Sequence, residues 1–452
     1  MVDAAAEPDT SSAADSSHLP PSAPLEPGTP QKGGIRGWYY GYWLVVAAFI
    51  AQFVSVGAQN YVIGSFLTPM TEELDWSRTE FTFARTIGQF IMAFTGVFIG
   101  GLVDQHGGKW LMRGGIVVMT AAMFALGSVQ ELWQWLLLNG LILTIGAAMI
   151  GNLVVNVTIS KWFVERRGRM VGFASMGVSF AGIAITPFSA YLVEAFGWRD
   201  SWRILAVCAA IVIVPLSFAM RRAPEDHGLH PDGKSAEQIA QGGGRAAAFD
   251  FASSLTRAEA VRLPAFYIVA ISFGLGTISI GALLIHTIPF MEDAGFSKNT
   301  AAAMITVTSI PALLLKPAWG YFMDKADIQK ISLIGFVLNA VALLLIVISV
   351  RADTFPLIVF SFALLGCGWS GFIPLQEVVW ASFFGRRYLG AVRSAGLPVA
   401  LSISASAPLL IAVYFDHIGD YNGAFLGIAA LSLIGGALLT FAHPPTRVER
   451  DL

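Results

Sequence analysis

"PMTEELDWSRT" at residues 69–79 returns as "PFMEDAGFSKNT" at residues 289–300. Pro69 matches Pro289, Ser77 matches Ser297 and Arg78 matches Lys298, each at an offset of 220 residues. The same offset carries Gly100 and Asp104 onto Gly320 and Asp324. It also carries Phe163, Arg166 and Arg167 onto Phe383, Arg386 and Arg387. One spacing kept across several separated loops marks a duplicated unit. The stretches between those loops then decide what the unit is.

They are apolar. The 452-residue chain is 55% hydrophobic and 13% charged, with a mean hydropathy of +0.65, whereas soluble domains carry about 25% charged residues. Twelve runs of membrane-spanning length can be marked: 41–68, 79–102, 112–130, 132–159, 170–194, 199–220, 265–291, 298–322, 329–350, 355–383, 390–415 and 421–441. A helix of about 20 apolar residues crosses a hydrocarbon core of about 30 Å, and no soluble fold buries so many. The expected fold is an all-α polytopic membrane protein with twelve transmembrane helices arranged as two pseudo-symmetric six-helix bundles. Residues 38–222 form the first bundle and 263–442 the second, with a cytoplasmic linker at 223–262 and a tail at 443–452. Residues 1–37, rich in Ala, Ser and Pro without a basic start or an apolar stretch, read as a disordered tail rather than a cleaved signal.

Lys and Arg set the orientation. Arg78, Arg199, Arg203, Lys298 and Arg351 fall on the far side, Arg85 and Lys316 fall within spans, and the remaining cations fall on the cytoplasmic side. Both termini are therefore expected in the cytoplasm, in an inner (plasma) membrane. Cys208 and Cys367 lie in apolar runs and make no disulfide framework. The "GGG" at 242–244 lacks the Gly-Lys-Ser/Thr of a phosphate loop. No cofactor, metal or nucleic-acid partner is implied, and a monomer is expected. Duplicated membrane bundles place a binding site at their interface near mid-membrane, so a carrier is expected rather than an enzyme.

"GGLVDQHGGKW" (100–110) sets Gly100, Asp104, Gly107 and Lys109 in the loop between the second and third runs. Gly100 allows close helix approach, Asp104 can accept from a helix N-terminus, and Gly107 permits a tight turn. With twelve runs and the repeat, this loop resembles that of the major facilitator superfamily across 38–442. Its second copy, Gly320 to Asp324, is degenerate, with Asp327 and Gln329 replacing Gly107 and Lys109. Looser contacts are expected there. "KWFVERRGRMVGFASMGVSFAG" (161–182) is similar to the fifth-span signature of the monocarboxylate transporters and their bacterial relatives, which include oxalate–formate exchangers. Trp162, Phe163, Arg166, Arg167, Gly172, Ala174 and Gly177 fit that signature and Met170 departs from it. Asn139 stands where many drug antiporters and sugar symporters of the superfamily have arginine.

"LLLKPAWGYFMDK" (313–325) holds a lysine eight residues before Asp324, about 12 Å inside the helix end. A charge there costs at least about 2.5–3.5 kcal/mol, so it must face a cavity or a partner. Pro311 and Pro317 remove backbone bonds and can bend the helix to open such a cavity. The segment resembles the eighth-span arginine–proline segment of these carriers, which implies that Lys316 binds a substrate carboxylate. A compact ammonium in place of a forked guanidinium favours larger or less symmetrical anions. The alternative is a snorkelling or structurally paired lysine.

The animal members' aspartate four residues earlier is Ala312 here, and their first-span lysine is Asn60, so their proton cycle does not transfer whole. Glu377, nine residues before Arg386 and at comparable depth, is the expected substitute, pairing with Lys316 or taking the coupling proton. Asn60, Tyr61, Asn152, Asn156, His286 and Gln376 are candidates to line the cavity, or to serve as helix-to-helix bonds. Arg85 is placed at the outer mouth. Arg166, Arg167, Arg386 and Arg387 are read as topology determinants and gate contacts. The expected function is secondary active transport of a monocarboxylate or related organic anion, proton-coupled. The alternatives are a drug or metabolite exporter of the same fold and an organic-anion exchanger without proton coupling.

Overall fold

The computed structural model describes residues 38–446; the tail expected at 1–37 and the end of the chain from 447 lie outside them. Ten helices among the described residues are long and apolar enough to cross a membrane, and a pair bent by 42°, Asn299–Leu314 with Lys316–Lys325, makes an eleventh. One of the ten, Arg167–Ala219, has 53 residues, and at 1.5 Å per residue it would run about 80 Å, far more than one bilayer. Gly197, at φ 73 and ψ 164, breaks it into separate crossings, 167–196 and 198–219.

The crossings are therefore Tyr40–Leu74, Thr79–His106, Gly108–Leu126, Leu132–Trp162, 167–196, 198–219, Pro264–Asp293, the bent pair, Ile328–Arg351, Phe355–Phe384, Leu389–Ile418 and Asn422–Phe441. Six precede the linker and six follow it. The linker and both described ends thus share one side, the linker face.

The repeat that opens the sequence is a helix stop and restart. Asp75 and Gly295 take left-handed φ of 56° and 92°, each terminating a helix. Ser77 Oγ then accepts from the Glu80 amide and Ser297 Oγ from the Thr300 amide, capping the next helix in each half. The third span begins at Gly108 rather than 112 because Gly107, at φ 74, makes the whole turn by itself. Its counterpart Asp327 sits at φ −60 and needs no glycine. There its carboxylate caps the ninth span through the Gln329 and Lys330 amides at 2.9 and 3.1 Å. Gln329 Nε2 in turn donates to the Ala442 carbonyl at 2.5 Å and the Leu439 carbonyl at 3.2 Å, closing the twelfth span onto the ninth. The degenerate copy has found other bonds.

Packing between the halves is uneven. One apolar core runs from the first half through Val103 and Met323 into the linker-face part of the second half, reaching Phe266, Trp380 and Leu389. The far part of the second half, around Leu283, Phe290, Ile346 and Phe425, has a separate core of its own. The halves are sealed together at the linker face and share no core at the far face.

Candidate substrate site

Two glycine contacts make the seal. A Cβ on Gly100 would overlap the Gly390 carbonyl oxygen, and one on Gly320 would overlap the Gly168 carbonyl oxygen. Backbones from opposite halves therefore touch at two pseudo-equivalent places, second span on eleventh and eighth on fifth. Beside each glycine an aspartate caps the partner helix. Asp104 accepts from the Ala391 amide at 2.7 Å and pairs with Lys161 at 2.6 Å. Asp324 accepts from the Gly168 amide at 2.7 Å and the Arg169 amide at 3.3 Å, and pairs with Arg169 Nε at 2.8 Å. The second copy, expected to be looser, makes the fuller set of bonds. Lys109 is half-buried and makes no ion pair among the described residues.

Gly320→Val is expected to force this contact apart at an overpacking cost of about 1–3 kcal/mol. The population would then shift toward a form open at the linker face. In a background lacking Cys208 and Cys367, a cysteine at Ser394, buried at the companion Gly100–Gly390 contact, should react with maleimide several-fold faster. An unchanged labelling rate would count against the two-point seal.

The linker, read as a polar connector, is folded into the seal. Asp250, Ser253, Ser254 and Leu255 are buried, and the Leu255 amide donates to the Phe384 carbonyl at 2.9 Å. Asp232 takes the Val164, Glu165 and Arg166 amides at 3.0, 3.0 and 3.2 Å. Arg167 pairs with Asp250 at 2.8 Å and Arg386 with Glu225 at 2.5 Å. Arg386 Nη1 also donates to the Lys161 carbonyl in the other half, at 3.1 Å. The Arg387 amide donates to Ser254 Oγ at 3.0 Å, and Arg166 Nη1 donates to the Tyr42 hydroxyl at 3.0 Å. Burial, then the Asp232 and Glu225 carboxylates, push the Tyr39 hydroxyl far above its usual range. It stays protonated and donates to the His230 carbonyl at 3.0 Å.

Deeper in the interface lies the broken eighth span. Pro311 and Pro317 lack the amides that would continue the helix, and it bends by 42° with Leu315 between its two parts. Lys316 stands at the start of the second part, 2% exposed. Its Nζ donates to the Ser175 carbonyl and to Ser179 Oγ of the fifth span, both at 2.8 Å. Packing is close enough here that a Cβ on Gly172 would come 2.6 Å from the Lys316 carbonyl oxygen. The lysine therefore bridges the halves and neither snorkels nor meets a carboxylate. Of the other buried cations, Lys161, Arg167, Arg386 and Arg393 each pair with one. Among the described residues Lys316 is the buried cation without an anionic partner.

The expected pairing of Glu377 with Lys316 is corrected. Glu377, wholly buried, bonds Arg393 of the eleventh span at 2.5 Å. Asn156 Nδ2 of the first half donates to the same oxygen at 3.1 Å, and Gln52 Nε2 donates to Asn156 Oδ1 at 3.1 Å. The network ties the first and fourth spans to the tenth and eleventh. Sequence reading missed Arg393, counting it with the loop cations, although the eleventh apolar run at 390–415 already contained it. Gln52, Ser175 and Ser179 gave no signal, because a polar residue in an apolar run does not reveal which helix it meets.

His286 is also corrected as a cavity candidate. Its Nε2 meets the Pro408 carbonyl at 3.1 Å and its ring lies 5.5 Å from that of Tyr421, so it packs inside the second half. Asn60 and Tyr61 fall in a π-helical turn, Gly57–Tyr61, a distortion frequent at functional positions. Tyr61 lies against Gly182 of the fifth span and within electrostatic reach of Arg85, which is exposed. Asn60 and Gln376 are half-buried and make no side-chain hydrogen bond among the described residues. Asn152 Oδ1 is buried without a partner just after the break at Gly151.

Known proteins extend these observations. The model of the Major Facilitator Superfamily matches residues 48–297 and 268–451. The chain is 26% identical over 428 residues to an oxalate:formate antiporter of Oxalobacter formigenes, covering 92% of this chain and 94% of that one. It is 24% identical over 447 residues to monocarboxylate transporter 2 of Mesocricetus auratus, covering 93% and 86%. Among solved structures, the proton:xylose symporter XylE superposes with a TM-score of 0.71 at 11% identity, covering 89% of this chain and 96% of that chain. The fucose:proton symporter FucP gives 0.63 at 11%, covering 89% and 99%. At such identities the structures speak to the fold alone. A twelve-span, twice-repeated helical fold and a family model matched along most of the sequence lead to one assignment: this chain is a membrane transporter of the major facilitator superfamily.

Proposed function

We propose that the protein carries a monocarboxylate or related organic anion across the inner membrane, with its linker face cytoplasmic. The observation that carries this reading is Lys316: buried between the halves, held by two neutral oxygens at 2.8 Å, with no carboxylate among the described residues beside it. An ammonium has three donors, and two are used. A carboxylate arriving at the third would supply the missing counter-charge and offset the desolvation that the lysine already bears. The full-length similarity to the oxalate:formate antiporter and to monocarboxylate transporter 2 supports the same substrate class.

The conformation sealed at the linker face takes substrate from the far side. Opening to the cytoplasm requires the Gly100–Gly390 and Gly320–Gly168 contacts to part and Lys316 to leave Ser175 and Ser179. An anion on the ammonium competes with those two bonds and so weakens one tie between the halves.

Purified protein in liposomes loaded with unlabelled L-lactate should accumulate labelled L-lactate by counterflow, and an inside-alkaline pH gradient should drive net uptake. Accumulation of cationic or neutral compounds, with carboxylates inert, would instead identify an exporter. The oxalate:formate relative favours one second reading, obligatory anion exchange. In that case counterflow persists and the pH gradient drives nothing.

A further inference from the structure

The charges buried between the halves are nearly balanced. Toward the linker face the buried cations among the described residues are matched: Lys161 with Asp104, Arg167 with Asp250 and Arg386 with Glu225. Of the partly buried ones, Arg169 pairs with Asp324 and Arg257 donates to the Val97 and Ala391 carbonyls. Deeper, the buried charged groups between the halves, among the described residues, are Lys316 and Arg393 against Glu377. Glu377 and Arg393 cancel at 2.5 Å, leaving one positive charge. Arg85 lies seven residues into the second span, toward its far-face end, and stands outside this buried set. His286 is turned into the second half.

We propose that Glu377 is a specificity-determining residue: it occupies Arg393 as a built-in carboxylate and thereby restricts the transported anion to a single negative charge. This rests on Lys316 being the anion site. Glu377 Oε1 accepts from two donors, the Arg393 guanidinium and the Asn156 amide, so Arg393 already faces a carboxylate of the protein. A monoanion on Lys316 brings the interface to neutrality. A dianion leaves one negative charge buried without a partner, a state that proteins avoid. With Glu377 neutral, two cations would remain and the balance would invert toward dianions. Glutamine keeps the shape of the side chain and still accepts from Asn156, which makes it the appropriate probe.

The experiment measures binding of L-lactate and malonate, similar in size and different in charge, to the full-length protein in detergent by competition and by thermal shift. Wild type is expected to prefer lactate. Glu377→Gln is expected to swing the lactate-to-malonate ratio by about tenfold or more toward malonate. The double variant Glu377→Gln with Arg393→Met, restored to one positive charge, is expected to return to lactate. Wild type binding malonate as tightly as lactate overturns the proposal whether or not any variant folds. So does a folded Glu377→Gln with an unchanged ratio, or a double variant that keeps a malonate preference. Lys316→Met separates the two levels. If it still binds lactate, the anion reading of Lys316 fails; if it loses lactate while Glu377→Gln leaves the ratio unmoved, only the valence rule fails. Wild type that binds neither acid overturns both.

Discussion

Lys316→Met should abolish carboxylate binding and transport while leaving the empty protein at least as stable as wild type. Removing one member of a buried charge pair costs a complex about 2–5 kcal/mol, which takes binding beyond easy detection. Stability moves the other way. The ammonium is taken out of water without a counter-ion, at several kcal/mol, and its bonds to Ser175 and Ser179 return about 1.5–3 kcal/mol each. Methionine fills similar space with neither cost nor gain. Thermal unfolding with and without lactate checks both halves of the statement. A lysine that merely held the halves together would give the opposite pattern, with a lower melting point and an intact lactate response.

Arg393→Met should be among the most destabilising single substitutions in the interface. It leaves Glu377, wholly buried, with one amide donor in place of a guanidinium, and breaking a buried pair in this way costs about 3–5 kcal/mol. Much of that is the penalty of a stranded charge and not the worth of the pair. Adding Glu377→Gln should therefore restore most of the stability, since the double variant has no buried charge to strand. A double-mutant cycle on thermal or proteolytic unfolding reads the coupling directly. Additive losses would mean that Arg393 and Glu377 act separately, contrary to their 2.5 Å contact.

How much of this is legible in the sequence alone differs residue by residue. Lys316 was legible because a cation in an apolar run, next to proline and eight residues from Asp324, has few inexpensive explanations. Asp104 and Asp324 were legible because the repeat names them twice. The partner of Glu377 was not, because depth along a helix says nothing about rotation, and two cations at similar depths compete for one carboxylate. The linker's role was hidden too, since its Gly-rich polar composition is that of a tether, and its buried Asp250 becomes visible only when Arg167 is placed beside it.

The sequence by itself determined the crossings, the duplication and the helix stops, because hydropathy, a fixed offset and capping residues are local or periodic and need no partner to act. Only the tertiary structure decided which face is closed, that Lys316 reaches across to the fifth span, and that Glu377 belongs to Arg393. Those outcomes depend on how helices are rotated and brought together in a low-dielectric interior, where a charge takes whichever counter-charge or polar oxygen lies within a few ångströms and distance along the chain carries no weight.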